Sequence, residues 1–472
     1  MPQDDQNEGV TVLRSRRLVA SLVTAGALVV TAACSSEDEP AARPTASPTP
    51  TGPTLLTFAV YGPPQVVTAY TKIAADFSAE HPDTVVNVRP YDTDEAAHDA
   101  IEAKIAAGDP PDAFLASLDD IPGLVEAEAV RSLDELLGER EVDFGDGFQR
   151  DSLEAFSADN ALQCMPVDVS PMVVYYNTDL VNLAALTDPG KRPITAETGW
   201  NLEQLTTAAT LATRPGARGV HIAPELQQVA PFIWSGGGEI VDELEDPSTL
   251  TLSDGASRSA MEQLLEVVRN PQITFNHNQL AKRSALQRFK TGSLAMMLGF
   301  RDLTPQLRAQ EDLDFDVMPM PRIGSRATSG KSSGLCLSSA SEHAEKTADF
   351  LAYAVSDEAM ALLAATGHVV PTNLDVVNSD AFLQPDQKPV SAFVFPGAIR
   401  SIHPVPRVDT WSTVVSSTSR LLDGLFYDPV IDPLEERLEA IDAASVPLFT
   451  PVPSPSPSPS AAESAPASPS VS

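Results

Sequence analysis

The sequence predicts an α/β protein with a parallel sheet in its first half and more helix in its second half. Apolar runs of strand length alternate there with segments whose apolar residues recur at helical spacing. Strands that alternate with helices in this way are typical of a parallel α/β sheet. The part of the chain that can form a core, residues 54–448, is long enough for two lobes of ordinary domain size.

Three strands and two helices are predicted at the start of this part. Pro82 ends the first helix, and Gly108 is placed as the C-terminal stop of the second. The predicted strands are "TLLTFAVYG", "TVVNVRPY" and "PDAFLASL". The apolar stripes of the two helices are Val66, Tyr70, Ile73 and Phe77, then Ala97, Ile101 and Ile105.

The second half contains six further predicted helices. Asn201 and Gln204 resemble a capping box for a helix over 202–213, and Ser356 is placed to cap "DEAMALLAAT". Asp432, Pro433 and Glu435 predict the start of the last helix. The other three are predicted from the apolar stripes Met261, Leu264, Leu265 and Val268; Ala344, Ala348, Leu351 and Val355; and Trp411, Val414, Val415 and Leu422.

Residues 1–33 have the layout of a secretory signal, in which a cluster of arginines precedes an apolar run that ends in small residues. The run, 18–33, is shorter than the roughly 20 residues of a membrane span. Thr31-Ala32-Ala33-Cys34 resembles a bacterial lipobox, with Thr31 in place of the usual leucine. This resemblance implies cleavage before Cys34 and lipidation of its sulfur. Ser15-Arg16-Arg17 also resembles a twin-arginine signal, so the export route stays open.

Two segments of the chain are too rich in Pro, Ser, Ala and Thr to bury a core. Residues 34–53 are predicted to be a disordered tether, and residues 451–472 a disordered tail. The net charge is −34, from 65 acidic and 31 basic residues, and such a surface repels phosphate. Nucleic acid is therefore excluded as a partner. The negative charge is interpreted either as a contribution to solubility or as a surface for a basic partner.

Cys164 and Cys336 remain once Cys34 is assigned to the lipid anchor. An even number of cysteines in an exported protein suggests a disulfide. Both lie in short apolar segments, "ALQCMPV" and "GLCLSS", so two separate buried thiols are the alternative.

No catalytic, cofactor or metal motif is found in the sequence. "GSRATSGKSSG" (324–334) fails as a phosphate-binding loop because Ser325 stands where the leading glycine is needed, and a polar turn before a strand is the alternative. There is no G-x-S-x-G or H-E-x-x-H motif, and the seven histidines lack the spacing of metal ligands. Acidic pairs such as Asp92/Asp94 and Asp314/Asp316 are interpreted as surface charge.

Six segments, in order, resemble family 1 of the extracellular solute-binding proteins, the substrate receptors of ABC importers related to maltose-binding protein. The resemblance covers residues 54–446. The segments are "AKIAAGDPPDAFLAS", "MPVDVSPMVVYYNTDL", "WNLEQLTTAATLAT", "FIWSGGGEIVDE", "FKTGSLAMMLGF" and "SEHAEKTADFLAYAVSDEAMALLAATGHVVPTN".

This resemblance implies a periplasmic-binding-protein-like fold of two α/β lobes with a ligand cleft between them. The implied first lobe is 54–165 plus 337–394, and the second is 166–336 plus 395–446. Hinge crossings are expected near 164–170, 333–338 and 393–397. Cys164 and Cys336 would lie on neighbouring crossing strands, which favours the disulfide.

The resemblance also implies a set of ligand-binding residues. Several have a structural alternative: packing in the core for the aromatic residues, a helix cap for Asp119, and an ion pair with Asp302 or another acid for Arg301. The expected ligand-binding residues are Tyr61, Gly62, Asp119, Asp168, Trp234, Gly236, Gly237, Phe300, Arg301, Ser333, Gly334 and Trp411.

The implied function is a non-enzymatic, monomeric lipoprotein that holds a small solute, without a cofactor, and delivers it to an ABC permease. It would be anchored on the extracytoplasmic face of the cell membrane. A carbohydrate is the expected ligand, but only 6% of residues are aromatic, so a small sugar or a non-sugar solute fits. Arg301 would suit a carboxylate or phosphate. The alternatives are a receptor for a polyamine, organic phosphate, iron complex or peptide, a sensing or scaffold lipoprotein, and a secreted hydrolase.

Overall fold

The computed structural model describes residues 52–187 and 192–450. The predicted signal segment 1–33, the predicted lipidation site Cys34, the tether up to residue 51 and the tail 451–472 lie outside these residues. No helix within the described ranges is both long and apolar enough to cross a membrane.

The predicted alternation of strands and helices is confirmed, and the helices predicted in the second half are present. Within the described ranges, nine helices of 4–6 residues, a ten-residue helix over Leu226–Ser235 and several short strands add to the elements that the sequence predicts. The strands are β1 (Thr54–Tyr61), β2 (Thr84–Tyr91), β3 (Ala113–Ser117), β4 (Ser157–Ala158), β5 (Ala161–Leu162), β6 (Cys164–Pro171), β7 (Val173–Asn177), β8 (Arg218–His221), β9 (Leu294–Gly299), β10 (Phe315–Met318) and β11 (Gly330–Leu337). The helices are α1 (Pro64–Glu80), α2 (Asp94–Ala107), α3 (Ile121–Glu126), α4 (Asp134–Gly138), α5 (Arg150–Ala155), α6 (Leu202–Ala212), α7 (Leu226–Ser235), α8 (Gly255–Val268), α9 (His277–Lys282), α10 (Ala285–Lys290), α11 (Thr304–Arg308), α12 (Ala344–Ala354), α13 (Asp357–Ala365), α14 (Leu374–Val377), α15 (Asp380–Leu383), α16 (Val394–Ala398), α17 (Trp411–Tyr427) and α18 (Leu434–Ser445).

Local signals in the sequence set the ends of several of these helices. The side chains of Asn201 and Gln204 form the predicted capping box at the start of α6. The Ser356 hydroxyl accepts a hydrogen bond from the backbone N–H of Ala359, which caps α13. Gly108 ends α2 in the left-handed conformation, with φ of 73°, which glycine adopts at little cost.

The first sheet has the strand order β2-β1-β3-β11-β6. β1 runs parallel to β2 and β3, as the alternation with helices predicts. β11, from the second half of the chain, runs antiparallel to both β3 and β6, so the sheet is mixed although its three predicted strands are parallel. The difference arises because β11 enters this sheet from the second half of the chain without a crossover helix.

The second sheet has the order β10-β7-β9-β8. β7 pairs antiparallel with β10 and β9, while β8 pairs parallel with β9. One cluster of buried residues packs on the first sheet, where Phe350 contacts the rings of Phe58 and Phe77 edge to face. A second cluster includes Trp200 and Met261.

The chain passes between the two sheets in the segments that join their strands. β6 of the first sheet and β7 of the second are separated by Met172 alone. The return segment, 319–329, is hydrogen-bonded to this point: the N–H of Met172 donates to the Ser329 carbonyl oxygen (2.8 Å), and the Thr328 hydroxyl donates to the Met172 carbonyl oxygen (2.7 Å). The residue bounds of the two lobes stay predictions.

Cys164 on β6 and Cys336 on β11 form a disulfide between neighbouring strands, with a Cα–Cα distance of 4.3 Å. Both cysteines are fully buried, and they are 172 residues apart in sequence. The disulfide therefore fastens β11, which arrives late in the chain, to the strand that leads into the second sheet.

Candidate functional site

A cleft of about 870 Å³ opens at the ends of the first-sheet strands and continues along α7 and the start of α17. Open α/β sheets commonly bind ligands at the carboxyl ends of their strands. Seven of the twelve predicted ligand-binding residues line this cleft: Tyr61, Gly62, Asp119, Asp168, Trp234, Ser333 and Trp411. Their role in binding a ligand stays a prediction.

Tyr61 is the last residue of β1, and Gly62 turns the chain away from the sheet. The turn requires the conformational freedom of glycine, because Gly62 has φ of 127°. Tyr61 is only partly buried, so it is not the plain core residue of the alternative interpretation. Burial and the charges of Asp94 and Asp120 raise the pKa of the Tyr61 phenol, which therefore stays protonated as a hydrogen-bond donor.

Asp119 follows β3, and its side chain is open to the cleft. The capping role that was its alternative belongs to Asp120, whose carboxylate accepts a hydrogen bond from the N–H of Ser117 (3.0 Å). Partial desolvation, followed by the charges of Asp120 and Asp94, raises the pKa of Asp119 to about 6. The carboxylate of Asp119 is thus free to contact a ligand.

Asp168 lies on β6 at the same end of the cleft. Its Oδ1 atom accepts a hydrogen bond from the backbone N–H of Val370 (2.6 Å). Burial raises the pKa of Asp168 to about 7, although the Val370 bond and the charge of Lys331 oppose that rise. One carboxyl oxygen of Asp168 is therefore held by the backbone, while the other is left for the cleft.

Trp234 lies near the end of α7 and is 4% exposed. The imidazole of His403 stacks on the indole, with the ring centroids 4.6 Å apart and the planes 7° from parallel. One face of the predicted sugar-stacking ring is therefore occupied by a side chain of the protein. Trp411, the first residue of α17, is a buried core residue that also borders the cleft. Packing in the core and contact with a ligand, its two predicted roles, are therefore compatible.

The glycines of "WSGGGE" serve helix packing. A Cβ atom on Gly236 would lie 2.7 Å from the Cβ of Ala260 on α8, and one on Gly238 would lie 2.6 Å from the backbone N of Ser257. Gly237 has φ of 84° and forms the turn after α7. The prediction that Gly236 and Gly237 border the ligand is not supported, because neither lines the cleft.

We expect Gly238→Ala to lower the free energy of unfolding by about 1–3 kcal/mol, because the added methyl group collides with the α8 backbone. Gly255→Ala is the matched control, since its Cβ meets no atom within 4 Å and its φ is not positive. This control should be neutral or slightly stabilising. Urea denaturation measures both, and equal stability of the two variants would contradict the packing role.

Arg301 does not face the cleft, which corrects the prediction that it binds the ligand. The side chain is fully buried, with its guanidinium 4.7 Å from the Phe382 ring centroid and 5.2 Å from that of Phe395. Burial lowers its pKa to about 10. The alternative ion pair is also wrong within the described ranges, where no carboxylate pairs with Arg301. The side chain points the other way because these two rings, distant in sequence, provide stacking surfaces for the guanidinium.

Phe300 and Gly334 also lie outside the lining of the cleft. Phe300 is 7% exposed and belongs to the second core cluster, which is its alternative interpretation. A Cβ on Gly334 would lie 2.7 Å from the ring of Phe156, so this glycine makes room for an aromatic side chain. Ser333, its neighbour, lines the cleft.

Several lining residues were missed by the sequence analysis, including Tyr70, Lys331 and His403. Tyr70 was assigned to the apolar stripe of α1, and it does lie there, but at the point where α1 borders the cleft. Lys331 was placed in a polar turn, whereas it lies on β11 with its Nζ atom 4.8 Å from the centroid of the Phe300 ring. A basic residue, Lys331, within the polar stretch "SGKSS" was the sequence signal that could have indicated its place in the cleft.

Within the described ranges no three His, Cys, Asp or Glu side chains come together as a metal site.

Residues 72–389 match the profile of a protein family described as bacterial extracellular solute-binding protein. No match is found among curated protein sequences. This family match covers more than half of the chain and includes every strand of the two sheets except β1.

Solved structures of similar fold cover most of the chain. An ABC substrate-binding protein from Listeria monocytogenes in complex with cycloalternan has 20% identity and a TM-score of 0.69 over 83% of this chain and 98% of its own. The GacH receptor of Streptomyces glaucescens, solved without ligand and with acarbose, has 17% identity and a TM-score of 0.68 over 84% and 98%. UgpB from Mycobacterium tuberculosis in complex with glycerophosphocholine has 16% identity and a TM-score of 0.67 over 84% and 98%. At these identities the likeness establishes the two-lobed α/β fold.

Proposed function

The chain belongs to the bacterial extracellular solute-binding proteins, and we propose that it captures a small polar solute in the cleft and delivers it unchanged to an ABC permease. A carbohydrate is the first candidate for this solute. We also propose that the protein acts as a monomer, anchored to the outer face of the cell membrane through a lipid on Cys34. The sequence Thr31-Ala32-Ala33-Cys34 supports this anchor.

The cleft carries this proposal. Its volume of about 870 Å³ suits a small ligand, and its walls combine aromatic rings with carboxyl and hydroxyl groups. The cycloalternan and acarbose complexes of similar proteins favour a carbohydrate, whereas the glycerophosphocholine complex favours a wider class of solutes. A ligand that contacts both sides of the cleft would stabilise the closed form by its differential affinity.

We expect a bound solute to compact the protein and to stabilise it. A panel of sugars, polyols and small ions in a thermal-shift assay measures the stability, and small-angle scattering with the best compound measures the compaction. A ligand at 100 times its dissociation constant should add about 2.7 kcal/mol to the free energy of unfolding. Scattering curves that stay unchanged at saturating ligand would contradict closure.

A matched pair of variants places the ligand in the cleft. Ser412 lines the cleft at the start of α17, while its neighbour Thr413 is exposed outside the lining. Ser412→Trp should obstruct part of the cleft and reduce the thermal shift, whereas Thr413→Trp on the same turn should retain it. Equal shifts in both variants would place the binding site elsewhere.

A further inference from the structure

We propose that the solute carries a protonated amine, which binds at the end of the cleft formed by Tyr70, Asp119 and Asp168. This inference rests on the proposed solute-binding function and narrows its ligand class. An amino sugar or a small polyamine has the required group.

The cleft is more acidic than the chain as a whole. The chain has about two acidic residues for each basic residue. The lining of the cleft has seven acidic residues and two basic residues, Lys331 and Arg407. None of the seven forms an ion pair with any residue in the ranges that the structure describes. These residues are Asp92, Asp94, Asp119, Asp151, Glu154, Asp168 and Asp302. The ratio of acidic to basic residues is therefore higher in the cleft than in the chain as a whole.

The basic groups near the cleft are poorly placed to bind an anion. Arg301, the residue that would suit a carboxylate or phosphate, is buried beneath the cleft between aromatic rings. Arg407 donates a hydrogen bond to the Ser157 carbonyl oxygen (3.4 Å). The Lys331 ammonium lies over the Phe300 ring, where the electrons of the ring attract a cation. An anionic ligand would then meet seven carboxyl groups against two basic ones, and the charge of Lys331 already acts on Asp119 and Asp168.

Tyr70 is a buried side chain whose hydroxyl reaches the cleft and has no protein partner among the described residues. The residue is 2% exposed and lines the cleft, and its hydroxyl makes no hydrogen bond to any other described residue. Burial, followed by the charge of Asp168, raises the pKa of Tyr70, so the phenol stays protonated. Because this hydroxyl opens into the cleft without a protein partner, a ligand atom can hydrogen-bond to it.

An ammonium group offers donors that suit these acceptors in kind and in number. An ammonium has three donors and no acceptor. Asp119 is free, Asp168 has one oxygen free, and the Tyr70 oxygen can accept a third hydrogen bond. Neutral hydroxyl groups can also bind carboxylates, but only a cation compensates the negative charge that the cleft accumulates. We therefore expect an amine to be preferred over the alcohol that replaces it.

Calorimetric titration with matched compounds tests this inference on the full chain. Glucosamine is compared with glucose, and putrescine with 1,4-butanediol, at low ionic strength and neutral pH. In at least one pair the amine should bind ten-fold or more tightly than its neutral partner. That preference should decrease at high salt, because screening weakens charge interactions.

Isosteric variants complete the test. Asp119→Asn and Asp168→Asn should each reduce the affinity for the amine at least five-fold, whereas Glu262→Gln, an exposed residue of α8 outside the cleft, should leave the affinity unchanged. Circular dichroism melting confirms that the variants fold. Equal or tighter binding of the neutral compounds overturns the amine inference and leaves solute binding intact. Silence of every charged and neutral compound counts against both proposals.

Discussion

Replacing Cys164 and Cys336 together with alanine is expected to lower the free energy of unfolding by about 2–5 kcal/mol. The disulfide closes a loop of 172 residues, so its loss allows the unfolded chain many more conformations. Urea denaturation of the variant and the oxidised protein measures the difference. The magnitude is large compared with the total stability of ordinary domains, about 5–15 kcal/mol.

The control for this prediction separates the covalent bond from the loss of buried sulfur. Wild-type protein that is unfolded and refolded in dithiothreitol keeps both sulfur atoms but lacks the bond. It should show most of the destabilisation of the alanine variant. If the reduced and oxidised wild-type proteins unfold at the same urea concentration, the disulfide contributes nothing and the prediction is wrong.

Asp168→Asn is expected to stabilise the protein by about 2 kcal/mol at pH 8. Burial raises the pKa of Asp168 from 3.8 to about 7, so the folded state favours the neutral carboxyl group. The stability that the neutral form gives is present below pH 4 and is lost as the pH rises through 7. Asparagine remains neutral at every pH and can still accept the hydrogen bond from Val370.

The pH dependence distinguishes this effect from a general change in packing. Asp302, Lys331 and Tyr70 also act on Asp168, and their charges are the same in both proteins. Urea denaturation at pH 5 and pH 8 should show a stability difference that increases with pH. Asp92→Asn, at an exposed residue of the same cleft that is not among the groups acting on Asp168, is the matched control and should show little change. A difference that is constant between the two pH values would contradict the prediction.

A stabilising Asp168→Asn variant would show that the carboxyl group of Asp168 lowers the free energy of unfolding of the ligand-free protein. By our proposal the same substitution weakens amine binding at least five-fold. Binding sites are often less stable than the fold would allow, because groups arranged for a ligand are poorly satisfied without it.

Features set by neighbouring residues were predicted correctly from the sequence. The apolar spacing of α1 and the capping box of α6 are local patterns, and both elements form as expected. The family resemblance implied that Tyr61 and Asp119 border the cleft, and both line it, since they lie at the carboxyl ends of strands that meet at one edge of the sheet.

The errors arise where a distant part of the chain decides the outcome. Arg301 follows β9 as expected, but Phe382 and Phe395 draw its side chain away from the cleft. Gly236 is predicted as a ligand contact, whereas the close approach of Ala260 on α8 requires it to be glycine. His403 covers Trp234 from a segment about 170 residues later in the chain. No local pattern records such contacts, so the backbone path was predicted more accurately than the side-chain roles.

The paired segments at Met172 have a mechanical consequence for opening and closing. A single buried residue leaves no slack between β6 and β7, and its two hydrogen bonds to 328–329 couple the outgoing segment to the returning one. A two-stranded ribbon of this kind bends readily across its flat face but resists shear in its own plane. Relative rotation of the two sheets should therefore follow one preferred axis, so that under the proposed function the two sides of the cleft would close in the same register each time.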